Sequence, residues 1–176
     1  MVNGGERPPT EALLALGSNL GDRRAALDGA VDALRAAAGV TVLAVSRFVE
    51  TDPLGPPQPR YLNAAVLVST VLAPRALLAL CLSLERAAGR VRAVRWGPRT
   101  LDVDIVLYGS LVLASPDLVL PHPRFREREF VLAPAAEIAG RLVDPLTGKT
   151  LSCLLMELRK TESTPYAPAS PPASAW

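Results

Sequence analysis

Two aspartates separated by one residue, Asp102 and Asp104, are the residues of this sequence best suited to bind a cation. The residues that alternate with them are apolar: Leu101, Val103, Ile105 and Leu107. Because side chains in a β-strand point alternately to opposite faces, the two carboxylates are predicted to share one face and the four apolar residues the other. Alternate residues of a strand have Cα atoms roughly 7 Å apart, so the carboxylates are expected side by side.

A pair of carboxylates this close favours a bound magnesium ion. Like charges raise each other's pKa unless a cation neutralises them, and a ligand set made only of oxygen suits magnesium better than zinc. Proteins usually hold magnesium by one or two carboxylates together with substrate phosphates. We therefore predict phosphates in front of this face, within reach of Arg95 and Arg99. The alternative is an edge strand whose outward face is only hydrated.

The stretch that precedes the aspartates carries only positive charges. No acidic residue lies between Glu85 and Asp102, and Trp96 stands within the basic run. The four arginines nearest the tryptophan are Arg90, Arg92, Arg95 and Arg99. A solvated linker is one interpretation, but a tryptophan in such a run favours a loop that closes over phosphates.

Two further polar residues leave alternatives open. Asn63 is the one amide in an apolar, strand-like segment, and it is either a turn residue at the start of the strand or a ligand contact. His122, the only histidine, lies between Pro121 and Pro123 and is followed by three arginines. A lone histidine is more often structural than catalytic, so the residue pattern alone favours a structural role and leaves a catalytic one open.

Composition argues against several classes of protein. A formal net charge of +2 on 176 residues gives no general basic surface of the kind that binds nucleic acid. The apolar run at residues 12–16 is too short for a signal peptide or a membrane span. Cys81 and Cys153 lie far apart without metal-ligand spacing, and both are predicted to be buried, reduced thiols. We therefore expect a cytoplasmic protein without a membrane or nucleic-acid partner.

The apolar periodicity predicts four strands and two main helices in the order βαββαβ. The strands are expected at residues 12–16, 40–49, 61–71 and 101–107. One helix is expected after an N-cap at Asp22, and the other is expected to begin at Pro74. This is the order of the ferredoxin-like α+β fold, in which both helices cover one face of a four-stranded antiparallel sheet.

The remaining segments are expected to surround this unit. Residues 50–59 are too rich in proline for regular structure, and residues 111–113 are expected to pair back after a turn at Gly109. Short helical additions are expected at residues 135–139 and 151–158. The expected divisions of the chain are a flexible arm at residues 1–10, one domain at residues 11–160 and a disordered tail at residues 161–176.

Seven ordered motifs between about residues 13 and 139 resemble those of 6-hydroxymethyl-7,8-dihydropterin pyrophosphokinases, which transfer pyrophosphate from ATP to a pterin alcohol in folate biosynthesis. The motifs are Gly17-Ser18-Asn19-Leu20, Glu50-Thr51 with Pro53-Leu54-Gly55, Tyr61-Leu62-Asn63-Ala64-Ala65, Gly89-Arg90-Val91-Arg92, the stretch from Arg95 to Ile105, Pro121-His122-Pro123, and Arg128 with Phe130-Val131-Leu132. Together they make the resemblance very specific.

The resemblance implies three groups of site residues. Catalysis is implied for Arg90, Arg99, Asp102 and Asp104, of which the two aspartates would bind two magnesium ions against the phosphates of ATP. Nucleotide binding is implied for Glu85, Arg92, Trp96, Ile105, His122 and Arg128. Pterin binding is implied for Thr51, Leu54, Tyr61, Asn63 and Phe130. The resemblance thus assigns both Asn63 and His122 to ligand contacts, and it implies that the loop carrying Arg90 closes during the reaction.

Some positions depart from the family pattern near the nucleotide. They are Leu82, Asp117, Val119 and Pro123. Nucleotide affinity is therefore expected to differ from that of other members, and the enzyme is expected to act as a monomer. The alternatives from other classes are a ferredoxin-like RNA-binding domain, which the aromatic content of 5% disfavours, and a non-catalytic partner-binding module.

Overall fold

The structure is a computed structural model that describes residues 8–53, 57–89 and 99–162. Its elements in chain order are β1 (Thr10–Ser18), α1 (Arg23–Ala36), β2 (Val40–Val45), β3 (Val49–Thr51), β4 (Tyr61–Thr70), α2 (Pro74–Ala87), β5 (Asp102–Tyr108), β6 (Leu113–Ala114), β7 (Val119–Leu120), a short 3₁₀ helix (Phe125–Glu127), α3 (Glu129–Ala139) and α4 (Leu151–Glu162). Of the predicted arm, residues 1–7 lie outside the described residues, and Thr10 already belongs to β1.

β1 is a central strand of an antiparallel sheet with the order β2-β4-β1-β5, and β3 also pairs with β4. Side chains of β1 alternate between two hydrophobic cores, which explains why its middle is apolar throughout. Leu14 and Leu16 pack with α1 and α2, whereas Leu13 packs with α3 and α4 on the opposite face. The predicted α+β fold, with antiparallel strands and two main helices on one face, is confirmed.

Both main helices begin where the sequence predicts. The Asp22 carboxylate accepts a hydrogen bond of 3.0 Å from the Ala25 N–H and so caps α1. Pro74 occupies the first turn of α2. Gly39, between α1 and β2, has a φ of +77°, and a Cβ there would lie 3.1 Å from the Val71 side chain. Only glycine therefore fits this turn without strain.

The predicted second strand, residues 40–49, is interrupted between β2 and β3. Buried Ser46 lies at the interruption, and its Oγ accepts a hydrogen bond of 2.9 Å from the Ala65 N–H. The Ser46 N–H donates to the Ala65 carbonyl, also at 2.9 Å. A serine side chain thus replaces one bond of the strand ladder. The chain then rejoins the sheet as β3, which contains Glu50 and Thr51, two residues predicted to lie in the loop.

A register shift in β5 changes the predicted alternation at its C-terminal end. Val103 and Ile105 pack in the core that contains α1 and α2, as predicted. The pairing with β1 then skips Val106, which is the extra residue of a β-bulge. Leu107, predicted to share a face with Ile105, consequently packs in the opposite core with α3 and α4.

The segment after β5 does not pair back onto that strand, so this prediction is wrong. β6 pairs with β7 in a separate two-stranded sheet. The turn between them is closed by Ser115, whose N–H donates to the Leu118 carbonyl at 3.0 Å. Arg75 of α2 donates to both carboxylate oxygens of Asp117 in the same turn, at 3.0 and 3.2 Å. The Arg75–Asp117 pair links this hairpin to α2.

The C-terminal helices are longer than predicted. α3 begins at Glu129 because Val131 and Leu132 in its first turn pack in the core, and α4 continues to Glu162, inside the predicted tail. Residues 163–176 lie outside the described residues. Cys153 is only partly buried, whereas Cys81 is buried as predicted. None of the helices within residues 8–53, 57–89 and 99–162 has the length and apolarity needed to cross a membrane.

Candidate active site

A cleft of about 660 Å³ opens at the end of the sheet where β1 finishes and β4 and β5 start. One of its sides is formed by the start of α3 and the segment before it. Nine residues predicted from the sequence line it: Thr51, Tyr61, Asn63, Arg99, Asp102, Asp104, His122, Arg128 and Phe130. Residues from distant parts of the chain thus meet in one cleft.

β1 and β5 position the two aspartates. Asp102 lies opposite Gly17 and Asp104 opposite Ala15 in the β1–β5 pairing. Both carboxylates line the cleft, while Val103 between them is only 3% exposed and packs in the core. The predicted sharing of one face by the two carboxylates is confirmed.

The two aspartates differ in their ion pairing. Asp102 forms a close ion pair with Arg99, whereas Asp104 is 4.0 Å from His122 Nε2. Burial, followed by the negative charges of Asp102 and Glu85, raises the pKa of Asp104 to about 6. The Asp104 side chain is nevertheless 44% exposed, so a cation can reach it from the cleft.

The donor set fits magnesium. Among the residues that the structure describes, no group of three or more His, Cys, Asp or Glu side chains could hold a metal ion. Magnesium does not need such a group, because one or two carboxylates and substrate phosphates usually suffice. Asp102 and Asp104 are adjacent carboxylates that open into the cleft, and the pKa of Asp104 is raised, so this pair matches the requirement.

His122 is held as a neutral imidazole at neutral pH. Its pKa is lowered, first by burial and then by the positive charge of Arg128. The Arg124 backbone N–H donates to His122 Nδ1 at 3.3 Å, which leaves the ring proton on Nε2. His122 can therefore donate one hydrogen bond from Nε2 into the cleft.

Asn19 links two loops that border the cleft. Its side chain is almost fully buried, and its backbone N–H donates to the Arg99 carbonyl at 3.0 Å. Its Oδ1 accepts from the Arg99 N–H at 2.7 Å. Its Nδ2 donates to Gln58 Oε1 at 3.0 Å and to the Pro59 carbonyl at 3.2 Å. One amide thus fixes the loop before β4 and the residue that pairs with Asp102.

The other end of the cleft combines aromatic and amide groups. Asn63 Nδ2 donates to Thr51 Oγ1 at 2.8 Å, across the β3–β4 pairing. Tyr61 and Phe130 also line this region, and the Arg128 guanidinium lies 5.7 Å from the centre of the Phe130 ring. The sequence assigned Thr51 to a loop, but its position in β3 is what brings it to Asn63.

Several predicted residues are absent from this lining. Glu85 is 3% exposed and accepts a hydrogen bond of 3.0 Å from the Val103 N–H, beneath the cleft. Ile105 is also in the core. The predicted residues Leu54, Arg90, Arg92 and Trp96 lie outside the described residues. The lining also includes residues to which the sequence analysis assigned no role in the site: Ala15, Leu16, Gly17, Asp52, Gln58, Arg124 and Val131. Of these, Arg124 had the clearest signal, as one of the arginines after His122.

A sequence model of the family described as 7,8-dihydro-6-hydroxymethylpterin-pyrophosphokinase (HPPK) matches residues 13–140 of this chain. The chain belongs to this family. It is similar to the 2-amino-4-hydroxy-6-hydroxymethyldihydropteridine pyrophosphokinase of Methylorubrum extorquens, with 49% identity over 150 residues, covering 85% of this chain and 94% of the relative. The enzyme of the same name from Bacillus subtilis is 51% identical over 132 residues, covering 74% of this chain and 79% of the relative.

A solved structure supports the fold. The crystal structure of wild-type Plasmodium falciparum HPPK-DHPS matches with a TM-score of 0.67 and 12% identity, over 88% of this chain. This chain spans less than half of that longer one, 45% of its length. At such low identity the match concerns the fold alone. Family membership confirms the prediction of a pyrophosphokinase of folate biosynthesis that uses ATP as co-substrate.

Proposed function

We propose that this enzyme transfers pyrophosphate from ATP to 6-hydroxymethyl-7,8-dihydropterin in the cleft described above, releasing AMP and the pterin diphosphate. One observation carries the proposal: a cleft of about 660 Å³ joins a carboxylate pair and arginines to an aromatic and amide end. Group transfer needs both substrates side by side, because alignment of the reacting groups supplies much of the rate.

The pterin is proposed to bind at the aromatic and amide end. Tyr61 and Phe130 offer ring faces or edges to a flat heterocycle. Asn63 donates one N–H to Thr51 Oγ1 at 2.8 Å, and it has a second N–H and a carbonyl for the hydrogen-bonding edge of the ring. Leu54 is the remaining residue that the resemblance assigns to pterin binding.

The phosphates of ATP are proposed to bind between the aspartates and the basic residues of the cleft. Asp102 and Asp104 would hold two magnesium ions, which when bound neutralise phosphate charge and polarise the transferred group. Arg99 and Arg128 supply fixed positive charge, and the neutral His122 supplies a hydrogen-bond donor. The remaining nucleotide and catalytic assignments of this proposal are Glu85, Arg90, Arg92, Trp96 and Ile105.

We also propose that the enzyme acts as a cytoplasmic monomer without a nucleic-acid or membrane partner. The support is that one chain supplies both the carboxylate pair and the aromatic and amide end, so the proposed site does not require residues of a second copy. Light scattering should give the mass of one 18.6 kDa chain. The mass of a dimer would contradict the monomer.

Release of AMP tests the proposed reaction. The wild-type enzyme with ATP, the pterin alcohol and magnesium should release AMP, and chelation of magnesium should stop it. Asp102→Asn should lower kcat at least about 100-fold, because a group that stabilises charge in the transition state is lost. Asp32→Asn, which alters an exposed carboxylate of α1, is the control. Near-normal AMP release by Asp102→Asn would contradict the metal assignment, and none from the wild type would contradict the function.

A further inference from the structure

One side of the cleft is formed by residues 121–128, here called the cleft wall. Three residues of the wall line the cleft: His122, Arg124 and Arg128. Arg126 belongs to the same segment but is absent from the lining. It forms an ion pair with Asp144, which lies between α3 and α4. The wall is thus attached, on a side other than the cleft, to a part of the chain that contributes no residue to the lining.

The Asp144 carboxylate is buried and oriented to bind Arg126. Its side chain is 0% exposed, and its two oxygens accept from Arg126 Nε at 2.7 Å and from Nη2 at 2.6 Å. The same carboxylate accepts from Thr147 Oγ1 at 2.6 Å and from the Leu146 N–H at 3.2 Å. A bidentate arginine fixes orientation as well as distance, which a single-point contact does not.

The turn that carries Asp144 is itself closed by backbone hydrogen bonds. The Asp144 N–H donates to the Lys149 carbonyl at 2.9 Å, and the Gly148 N–H donates to the Asp144 carbonyl at 2.8 Å. Gly148 has a φ of +69°, a conformation that favours glycine. The carboxylate is therefore presented by a preformed turn, and Arg126 meets a fixed partner.

The cleft wall has weak hydrogen bonds of its own. Its internal backbone bonds, those donated by the N–H groups of Phe125, Glu127 and Arg128, measure 3.4, 3.3 and 3.3 Å. Phe125 anchors the wall in the core, because it is 0% exposed. The ends of the wall are fixed by backbone hydrogen bonds, from the His122 N–H to the Val106 carbonyl at 2.9 Å and from the Leu132 N–H to the Arg128 carbonyl at 2.9 Å. The Arg126 fork is the side-chain attachment between these ends that fixes the orientation of the segment.

We propose that the Arg126–Asp144 pair positions the cleft wall, and so sets the affinity for the nucleotide without touching it. The inference rests on the proposed function, in which His122 and Arg128 bind ATP. Arg126 and Asp144 are positioning residues. At the aromatic and amide end, Thr51, Tyr61 and Asn63 are held by β3 and β4, and Phe130 is held by the packing of α3, so this end is held by elements outside the cleft wall. Loss of the pair should therefore weaken nucleotide binding selectively.

The experiment measures two dissociation constants for each variant: that of a non-hydrolysable ATP analogue with magnesium, and that of the pterin alcohol alone. Arg126→Ala and Asp144→Asn should each raise the first constant on the order of tenfold, because small displacements of binding groups have large effects. The second constant should stay within about twofold of the wild type. Arg126→Lys keeps the charge but loses the bidentate contact, so its dissociation constant for the ATP analogue should lie between those of these two variants and that of the wild type.

Arg47→Ala is the matched control. Arg47 pairs with Glu137 of α3 at 3.1 Å, but its side chain is 85% exposed and neither residue lines the cleft. This variant should leave both constants unchanged. If Arg126→Ala does not fold, Arg126→Lys and Asp144→Asn decide the question, since each keeps most of the packing.

Unchanged nucleotide affinity in the folded variants would overturn the positioning role. An equal weakening of both ligands would also overturn it, because that pattern indicates general loosening of the fold. Wild-type protein that binds neither ligand would overturn the proposed function and this inference with it. Wild-type binding with no selective loss in the variants would overturn the inference alone.

Discussion

Gly17 lies at the point where the two ends of the cleft meet. It is opposite Asn63 in the β1–β4 pairing and opposite Asp102 in the β1–β5 pairing. A Cβ at Gly17 would lie 3.3 Å from Asn63 Oδ1 and 3.9 Å from Tyr61 Cδ1. The first distance is shorter than an ordinary van der Waals contact. The absence of a side chain here is therefore part of the proposed pterin pocket.

Gly17→Ala should weaken pterin binding about tenfold, because overpacking typically costs roughly 1–3 kcal/mol and the displaced atom belongs to a proposed ligand contact. Affinity for the ATP analogue should change much less. Calorimetric titration with each ligand measures both. Gly29→Ala on α1 is the control, since its Cβ would meet no atom within 4 Å. Unaltered pterin affinity in folded Gly17→Ala would show that the pterin binds elsewhere.

The elements that carry the site differ in how far the sequence predicts them. Local signals predicted the start of α1 at Asp22, the start of α2 at Pro74 and the alternation in β5 up to Ile105. The end of β2 was not predictable, because it depends on Ser46 bonding to a residue of β4. The bulge at Val106 likewise depends on pairing with β1. Pairing partners are set by tertiary structure, which local periodicity does not contain.

The candidate site was also only partly predictable, because local sequence patterns do not show which loops meet in the fold. The carboxylates and Asn63 stood out because polar residues interrupt apolar strands. Gln58 did not stand out, because one glutamine in a proline-rich loop has no pattern of its own. Its place in the lining is fixed by Asn19, which is 39 positions away in the sequence. Such residues become visible only when the loops are brought together.

Asn19 offers a test of how the loops at the end of β1 are held. Asn19→Ala should destabilise the fold by about 1–3 kcal/mol, since the nearly buried amide makes several side-chain hydrogen bonds and each contributes about 0.5–1.5 kcal/mol. It should also lower kcat, because Arg99 loses the bond to its backbone N–H. Asn19→Asp keeps an acceptor for that N–H but cannot donate to Gln58, so its kcat should fall less.

Urea unfolding and AMP release measure these two effects. Ser83→Ala is the control, because it removes one side-chain bond to backbone in α2, away from the cleft lining. Equal kcat for Asn19→Ala and the wild type would mean that Arg99 does not need this support.

In the molecule as a whole, the site lies where the two hydrophobic cores approach the same end of β1. Leu16 belongs to the core under α1 and α2, while Phe130 and Val131 belong to the side of α3 and α4, and all three line the cleft. The sheet therefore supplies the carboxylates and the amide, and the cleft wall together with the start of α3 supplies one side. Folding of both layers is required before the proposed ligands can bind, so ligand binding should stabilise the entire fold.

The pH dependence of stability tests how the charge of Asp104 affects the fold. The pKa of Asp104 is about 6 in the folded protein, against the ordinary value of 3.8. Between these values the folded state binds more protons than the unfolded state, so this residue lowers stability as pH rises through that window. The unfavourable contribution is fully present above the folded pKa. Asp104→Asn removes it, so the ligand-free variant should melt at the same temperature as the wild type or slightly higher at pH 8, with the advantage lost at pH 4.

Magnesium with a non-hydrolysable ATP analogue should reverse this order at pH 8. The wild type should gain melting temperature, because ligands that bind only the folded state stabilise it, and Asp104→Asn should gain much less. Differential scanning fluorimetry measures these melting temperatures at both pH values. Asp28→Asn, which alters an exposed carboxylate of α1, controls for the loss of one negative charge. A ligand-free Asp104→Asn protein that melts well below the wild type at pH 8 would identify Asp104 as a structural residue. An equal gain in melting temperature with ligand in both proteins would show that Asp104 does not belong to the proposed magnesium site.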